Sequence, residues 1–359
     1  MMYLFGFGLA FALSASLTPW VRRFALKHRI VDKPSSARKI HKHEIAYLGG
    51  AAIFLAFVMT VLVLLPLTRQ LGALLLGCAV LVVVGVIDDV RDLSPWVKLG
   101  GQFVAAGVAL AGGIGITAVT NPFGGVIDLN WGRTSFELLG AQFHISPLAN
   151  ILSLLWMVGL ANTINFLDGL DGLACGISGI AALVMFGLAV MPHVGQPAVA
   201  LLAIILAGAA LGFLPYNFYP ARIFMGDSGA YFLGLTLAML SIYSGAKLAT
   251  AALVLGFPIV DALWAATRRI AKRTSPFRAD RQHFHHLLLD AGMSQRQAVL
   301  TLYAVAAVFG IVALTAGSFA KLVALIALMF IMAVSIGALV YMNWVRARKI
   351  YPKSPLDKL

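Results

Sequence analysis

The sequence has little charge and little cysteine. Only 11% of its 359 residues are charged and 60% are hydrophobic, whereas soluble domains are nearer a quarter charged. This shortage of charge excludes an ordinary soluble domain and predicts an integral membrane protein. Cys78 and Cys175 lie in or beside apolar segments, and they provide neither a disulfide framework nor a metal-site spacing. The sequence also lacks a Gly-x-x-x-x-Gly-Lys-Ser/Thr motif, which disfavours an ATP-driven pump.

Acidic residues are also scarce, with 14 Asp and Glu against 27 Lys and Arg, so the formal net charge is +13. In a soluble protein this excess would suggest nucleic acid. Cytoplasmic loops of membrane proteins collect basic residues, however, so we predict no nucleic-acid partner. The same charge favours anionic membrane lipids and phosphorylated substrates as partners. The oligomeric state does not follow from the sequence, and a homodimer stays open.

Long apolar runs fill most of the chain. A helix needs roughly 20 apolar residues to cross the hydrocarbon core, and eleven segments approach that length. They are residues 2–20, 45–66, 71–87, 99–119, 148–166, 173–192, 197–214, 229–244, 249–268, 298–316 and 320–342. With the N-terminus outside and the C-terminus in the cytoplasm, all but four of the 27 Lys and Arg fall on the inner side, as the positive-inside rule requires. We therefore expect an all-α polytopic membrane protein with about eleven transmembrane helices.

The segments between these spans differ in composition. Residues 120–147, on the outer side, hold Gly, Pro and alternating residues, which predict a small periplasmic hairpin. Of the acidic residues, only Asp128 and Glu137 lie on the predicted outer side, and the others lie at or near the inner face. Because acids do not follow the positive-inside rule, we expect an active site at that face. We treat residues 1–359 as a single integral membrane domain with its site on cytoplasmic segments 21–44, 88–98, 167–172, 215–228 and 268–297.

The first polar cluster is Asp88-Asp89-Val-Arg91-Asp92, directly after an apolar run. On a continuing helix, Asp88 and Asp92 share a face. Clustered carboxylates repel one another unless a cation or a base lies among them. A solvated helix end neutralised by Arg91 would explain one aspartate, whereas three favour a site.

The second cluster, Asn162-Thr-Ile-Asn165-Phe-Leu-Asp168-Gly-Leu-Asp171-Gly, is the most informative part of the sequence. Polar groups are costly at membrane depth, so they usually line a cavity, bind an ion or contact a substrate. Hydrogen bonds between helices would account for Asn162 and Asn165 but not for both Asp168 and Asp171. We therefore interpret this stretch as part of a site.

The third cluster is Met225-Gly-Asp227-Ser-Gly229, before the span that starts near residue 229. Asp and Ser are common at helix N-termini, so an ordinary helix cap explains this cluster as well as a site does. In a site, the glycine-flanked helix N-terminus would accept a phosphate while Asp227 holds a metal ion.

A basic segment, residues 268–286, ends in His283-Phe-His285-His286. Because no cysteine lies nearby, a zinc site is disfavoured, and a His/Arg surface for a phosphate or diphosphate fits better. A juxtamembrane loop that contacts anionic lipid would explain the Lys and Arg but not the histidines.

The first inner segment, residues 21–44, is also basic. Its Lys and Arg are sufficient to set the orientation of the first span. Arg38, Lys39 and His41 are in addition candidates for contact with a phosphate.

These clusters together indicate a chemistry. Carboxylates and amides without cysteine suggest a hard cation, Mg²⁺ or Mn²⁺, and the basic segments suggest multiply charged oxyanions. The combination predicts phosphoryl transfer, and a site at the membrane surface predicts a lipid reactant. A cation-coupled secondary transporter is the main alternative, because intramembrane acids and glycine-broken helices occur there too. The sequence shows no internal repeat and places its acids at helix ends, which argues against a transporter, while a phosphotransferase for another lipid stays open.

Four motifs follow one another along the chain. They are Asp88-Asp89-x-x-Asp92, Asn162-x-x-Asn165-x-x-Asp168-Gly-Leu-Asp171, Phe-Met-Gly226-Asp227-Ser-Gly229 and Arg281-x-His283-x-His285-His286. This set resembles the polyprenyl-phosphate N-acetylhexosamine-1-phosphate transferases, the glycosyltransferase 4 family. The His-x-His-His form is similar to the bacterial branch that loads N-acetylglucosamine-1-phosphate (GlcNAc-1-phosphate) onto undecaprenyl phosphate.

The resemblance implies a reaction and a location. A sugar-1-phosphate would move from a UDP-sugar, with UDP-GlcNAc the first choice, to undecaprenyl phosphate. The products would be undecaprenyl-diphosphate-sugar and UMP, in the first membrane step of a cell-surface polysaccharide pathway. The protein would lie in the bacterial cytoplasmic (inner) membrane with its active site facing the cytoplasm.

The resemblance also implies residue roles. Asp227 and Asn165 would hold Mg²⁺ against the diphosphate. Asp88 would be a base or an orienting group for the lipid phosphate, with support from Asp89. The UDP-sugar would be bound by Asn162, Asp168, Asp171, Arg281, His283, His285 and His286. Because a phosphate monoester has a second pKa near ~6 and is largely ionised at neutral pH, we expect alignment and metal to matter more than proton removal.

Overall fold

The structure is a computed structural model, and it describes residues 1–32, 44–138, 141–244, 248–273 and 283–350. Its helices are α1 (Met2–Lys27), α2 (Gly49–Leu64), α3 (Arg69–Arg91), α4 (Pro95–Ala111), α5 (Pro147–Leu167), α6 (Leu173–Val190), α7 (Pro197–Asn217), α8 (Gly226–Tyr243), α9 (Leu248–Val254), α10 (Gly256–Ala271), α11 (Phe284–Asp290), α12 (Gln295–Thr315) and α13 (Ser318–Ile350). Its strands are β1 (Val31–Asp32), β2 (Ile45–Ala46), β3 (Ala118–Thr120), β4 (Val126–Asp128), β5 (Thr134–Leu138) and β6 (Ala141–Ile145).

Every apolar segment that the sequence marks as a span contains a helix. Seven helices within the described ranges are long and apolar enough to cross a membrane, and an eighth span results if α9 and α10 count as one. The all-α polytopic membrane fold is therefore confirmed. The total of eleven spans and their orientation stay predictions, since α2 has only 16 residues and α4 only 17.

The predicted span 249–268 is not a single straight helix. The chain breaks between α9 and α10, whose axes are bent by 78°. Gly256 and Pro258 lie directly after the break, and both residue types interrupt helices. The bend gives α10 a different direction from α9, and its C-terminal half reaches the site described below.

The predicted hairpin in residues 120–147 is present, but there are two hairpins. Strands β3 and β4 pair antiparallel with Val119 opposite Ile127. Strands β5 and β6 pair antiparallel with Phe136 opposite Phe143. Both hairpins lie between α4 and α5, at the end of the bundle opposite the polar helix termini.

Helices α7 and α8 form the centre of the bundle. Every residue of α8 from Ser228 to Ile242 is buried, and most of α7 is buried as well. A helix that is apolar on all sides is stable only when it is surrounded by other helices or by lipid. The central position of α8 fixes its N-terminus, and with it Asp227, at the middle of one end of the bundle.

Backbone hydrogen bonds join the starts of α2 and α8. Gly49 N–H donates to the carbonyl of Phe224 at 3.0 Å, and Gly50 N–H donates to that of Met225 at 2.8 Å. Ala46 of β2 also forms a parallel bridge with Ile223. These contacts hold the segment before α8 in place, so the polar ends of several helices meet there.

Candidate active site

Two carboxylates and one ammonium group meet where α3 ends and where α4 and α8 begin. The Nζ atom of Lys98 lies 2.5 Å from Oδ2 of Asp88 and 3.1 Å from Oδ2 of Asp227. Asp88 is buried, and its Oδ1 accepts a hydrogen bond from the backbone N–H of Leu93 at 2.7 Å. Because like charges in close contact repel, the ammonium stabilises both carboxylates at once. The structure thus brings together Asp88 and Asp227, which lie in separate sequence motifs.

Asp89 directs its carboxylate at the N-terminus of α8. Its Oδ1 accepts the backbone N–H of Asp227 at 2.8 Å, and its Oδ2 accepts the hydroxyl of Ser228 at 2.9 Å. The unpaired N–H groups at a helix start favour such an anionic partner. Gly226 has a φ of 73°, and a Cβ at this position would come within 2.5 Å of the Asp89 carboxylate. Glycine is therefore required here, and Asp89 fixes the position of Asp227.

The polar residues of α5 point toward Asp227 and α4. Nδ2 of Asn165 donates to Oδ1 of Asp227 at 2.8 Å. One turn earlier, Asn162 exchanges two hydrogen bonds with Gln102 of α4, at 2.6 Å and 3.2 Å. These contacts join α5 to α4 and α8.

Asp168 and Asp171 have different surroundings. Asp168 follows the end of α5, where burial and then the negative charges of nearby aspartates raise the pKa of Asp168 to about 8. Asp171 accepts the backbone N–H of Ala221 at 2.9 Å, which ties the turn after α5 to the segment after α7. Asp168 therefore faces the site, whereas Asp171 shapes the loops around it.

The histidine segment is held by residues of α10. Nδ1 of His283 lies 2.9 Å from Oδ2 of Asp261, and Nε2 of His283 lies 3.4 Å from Nη2 of Arg269. The rings of His283 and His285 stack with centroids 5.7 Å apart. The ring of His286 lies 4.4 Å from that of His285. All three histidines are thus close together.

His285 is the most deeply buried of the three, at 1% exposure. Neither of its ring nitrogens has a hydrogen-bond partner within the part of the chain that the structure describes. Its Nε2 lies against Gly169, where a Cβ would come within 2.3 Å. Burial, followed by the neighbouring charges of His286 and His283, lowers the pKa of His285 well below its usual range, so the ring is neutral at neutral pH.

A cavity of about 360 Å³ joins the acidic cluster to the histidines. Ligand pockets commonly have volumes of this order and combine apolar walls with a few convergent polar groups. Its lining consists of Pro95, Lys98, Leu99, Gln102, Asn162, Asn165, Phe166, Asp168, Gly169, Asp227, Tyr231, Arg269, His283, His285 and His286. Of the described predicted site residues, Asp88, Asp89 and Asp171 lie outside this lining.

An apolar groove of about 300 Å³ lies next to the cavity. It runs between α5 and α10 and is lined by Leu155, Trp156, Gly159, Leu160, Asn162, Thr163, Phe166, Ile259, Ala262 and Leu263. Asn162 and Phe166 line both spaces. The apolar groove therefore adjoins the polar cavity at these two residues.

Sequence reasoning missed four polar residues that the structure places in or beside the cavity. They are Lys98, Gln102, Asp261 and Arg269. In the sequence, Lys98 served only as one of the basic residues that set the membrane orientation. Lys98 and Gln102 are four residues apart, however, which puts two polar side chains on one face of an apolar helix. Arg269 was one of several basic residues in its segment. Asp261 is an acid inside an apolar span, which by itself indicates a buried partner.

Four of the predicted substrate contacts lie outside the described residues. They are Arg38, Lys39, His41 and Arg281. Their assignment stays a prediction from the sequence motifs.

Comparison with known proteins identifies the family. The profile of glycosyl transferase family 4 matches residues 71–245. A Bacillus subtilis protein named as a probable undecaprenyl-phosphate N-acetylglucosaminyl 1-phosphate transferase is 36% identical over 306 residues, covering 83% of this chain and 80% of that protein. A Thermotoga maritima undecaprenyl-phosphate alpha-N-acetylglucosaminyl 1-phosphate transferase is 32% identical over 276 residues, covering 77% and 78%.

A third relative carries a different name. The phospho-N-acetylmuramoyl-pentapeptide-transferase of Staphylococcus aureus (strain MSSA476) is 31% identical over 317 residues, covering 86% of this chain and 96% of that protein. Relatives of both kinds align with most of the chain. The chain therefore belongs to glycosyl transferase family 4.

Proposed function

We propose that the protein transfers a sugar-1-phosphate, GlcNAc-1-phosphate above all, from a UDP-sugar to undecaprenyl phosphate. The observation that carries the proposal is the single cavity that combines Lys98, Asn165 and Asp227 with Arg269 and the histidines. Such a set of charges suits a ligand with two linked phosphates. The names of the Bacillus and Thermotoga relatives support a polyprenyl phosphate as the acceptor.

The donor atoms at the site fit Mg²⁺ bound together with substrate. Within the described ranges, no group of three or more His, Cys, Asp or Glu side chains forms a metal site, which disfavours an all-protein cage. Mg²⁺ is usually held by one or two carboxylates plus substrate phosphates. Asp227, with Asn165 beside it and Asp88 across Lys98, offers such a set. When bound, Mg²⁺ would neutralise charge on the donor diphosphate.

The reaction needs one bond to form and one to break. An oxygen of the lipid phosphate attacks the β-phosphorus of the UDP-sugar, and the bond from that phosphorus to the bridging oxygen breaks. UMP leaves with the bonding electron pair. Because the lipid phosphate has a second pKa near ~6 and is already largely ionised, the Asp88–Lys98 ion pair acts in orientation and charge balance rather than in proton removal. Asp89 acts through Asp227, whose backbone it holds.

The cationic wall of the cavity binds the remaining phosphate charge. Arg269 lies with its guanidinium carbon 5.8 Å from the ring centroid of Phe166, which holds it at the cavity. His286 lies beside it, and an imidazole group can donate a hydrogen bond to a phosphate oxygen. His283 contacts Arg269 through Nε2 and so orients the guanidinium. We assign the diphosphate to the space between this wall and Asp227.

The apolar groove between α5 and α10 suits the prenyl chain of the acceptor. Its lining is almost wholly apolar, and it meets the cavity at Asn162 and Phe166. A prenyl chain in the groove would bring its phosphate to the cavity. The sequence places most Lys and Arg in the segments between spans that also carry the polar clusters. Under the positive-inside rule, this supports a site that faces the cytoplasm of a bacterial inner membrane.

The test uses purified protein, UDP-[¹⁴C]GlcNAc, undecaprenyl phosphate and Mg²⁺. We expect labelled lipid and an equal amount of UMP, and no product when EDTA replaces Mg²⁺. A parallel panel with UDP-GalNAc and UDP-MurNAc-pentapeptide identifies the sugar, since relatives named for GlcNAc and for MurNAc-pentapeptide both resemble this chain. Folded protein that yields neither labelled lipid nor UMP with any donor would refute the proposal.

A further inference from the structure

We propose that Asp261 is a positioning residue that fixes the orientation and the tautomer of His283 for the transfer reaction. The inference rests on the proposed function, because His283 there orients Arg269 of the cationic wall. It adds a residue from the middle of an apolar helix to the machinery of the site.

The geometry of the contact is that of a two-point clamp. Oδ2 of Asp261 lies 2.9 Å from Nδ1 of His283, and Oδ1 accepts the backbone N–H of Phe284 at 2.8 Å. Both oxygens are therefore used, one on the ring and one on the backbone at the start of α11. Asp261 is 2% exposed and His283 is 6% exposed, so water does not compete for these bonds.

The partners on the two ring nitrogens select one tautomer. An ionised carboxylate only accepts hydrogen bonds and a guanidinium only donates them. With Asp261 at Nδ1 and Arg269 at Nε2, the neutral ring carries its proton on Nδ1 and offers the lone pair of Nε2 to Arg269. A carboxylate that fixes the second nitrogen of a functional histidine in this way sets both its orientation and its tautomer.

The contact also links two parts of the site. Asp261 lies on α10 between Ile259 and Ala262, which line the apolar groove, while His283 lines the polar cavity. The clamp is thus a polar connection between the helix that bounds the groove and the histidine segment. A purely structural clamp would stabilise the fold but would leave the histidine tautomer without consequence for turnover.

Asp261→Asn separates these two roles. The carboxamide keeps an oxygen for the N–H of Phe284 but presents an NH₂ group to His283, which forces the proton onto Nε2. We expect kcat to fall by about 10- to 100-fold while KM for both substrates changes little, since the loss concerns alignment in the transition state. Thr267→Ala is the matched control on the same helix. Its hydroxyl is exposed and, among the described residues, donates to carbonyls of its own helix alone, so its kcat should equal that of the wild type.

A double-mutant cycle tests whether Asp261 acts through His283. In a His283→Gln background, adding Asp261→Asn should cause little further loss of kcat, since coupled residues are non-additive. Full multiplication of the two losses would overturn the proposal, as would normal kcat in a folded Asp261→Asn single variant. Melting temperature and gel filtration report whether each variant is folded.

A spectroscopic readout does not depend on any variant of Asp261 or on turnover. In wild-type protein labelled with ¹⁵N-histidine, the His283 signals, assigned by their loss in His283→Gln, should show the proton on Nδ1. A proton on Nε2 would overturn the proposal even if the protein is an active transferase. Conversely, a wild-type protein with the expected tautomer but no transfer activity would refute the proposed function alone.

Discussion

Replacing Lys98 with methionine removes the ammonium group between Asp88 and Asp227 but keeps an unbranched stem of similar length. Two carboxylate contacts are lost together, at 2.5 Å and 3.1 Å. The two carboxylates then face each other without a counter-ion, in a site where Asp88 is only 7% exposed. We therefore expect a loss of activity without a change of fold.

The size of the loss follows from the exposure of the pair. Two unit charges about 4 Å apart interact by about 4 kcal/mol at an effective dielectric constant of about 20. The cost of desolvating the charged groups offsets part of this attraction, and solvent screens it further because the Lys98 side chain is 25% exposed. We therefore take about 1.5 to 3 kcal/mol as the net stabilisation from the two charged hydrogen bonds together. At 1.36 kcal/mol per factor of ten, kcat/KM should fall by roughly 10- to 100-fold.

The assay measures kcat/KM for UDP-GlcNAc in detergent micelles that contain undecaprenyl phosphate. Lys98→Arg keeps the charge and should recover part of the activity, although a guanidinium does not reproduce the geometry of an ammonium. Lys27→Met makes the same chemical change at an exposed position at the end of α1 and should leave activity unchanged. A folded Lys98→Met variant with wild-type kcat/KM would refute the role of the ammonium.

Three further predictions concern the metal, the pH and the membrane. Asp227→Asn should lose activity that higher Mg²⁺ restores partly or not at all, and normal turnover would remove Asp227 from the site. The pKa of Asp168 is raised to about 8 in the folded protein, whereas an aspartate in the unfolded chain has a pKa of about 4. The free energy of unfolding therefore falls as the pH rises from about 4 to about 8, because only the unfolded chain releases this proton freely. Asp168→Asn should therefore raise the melting temperature more at about pH 9 than at about pH 4, and equal shifts would contradict this reasoning. A periplasmic phosphatase reporter fused after Arg273 should be inactive, whereas an active fusion would place the histidine segment on the wrong side.

The meeting of distant polar clusters could be predicted from the sequence because of simple helix geometry. Successive spans alternate in direction, so the end of α3 and the start of α8 must lie on the same side of the membrane. Asp88 and Asp227 follow from this rule, and the structure places both on one ammonium group. The sequence did not predict that Lys98 is the cation between these carboxylates. The chain reverses after Asp92, and the direction of the Lys98 side chain depends on how α4 packs.

The bend between α9 and α10 and the partner of His283 could not be read from hydropathy. Average hydropathy over a window does not register a change of helix direction, although Gly256 and Pro258 mark a local weakness. Asp261 lay inside an apolar run, and its partner lies 22 residues further on. Only the packing of the bent helix shows that the two groups face each other.

The direct test of the chemistry follows the β-phosphate of the donor. Purified protein receives UDP-GlcNAc labelled with ³²P at the β-phosphate and with ¹⁴C in the sugar, together with undecaprenyl phosphate and Mg²⁺. We predict that both labels enter the lipid in equal amounts and that the released nucleotide is unlabelled UMP. Transfer of ¹⁴C alone, with ³²P retained in released UDP, would show that the sugar moves without its phosphate and would contradict the role of the site as a phosphoryl-transfer centre.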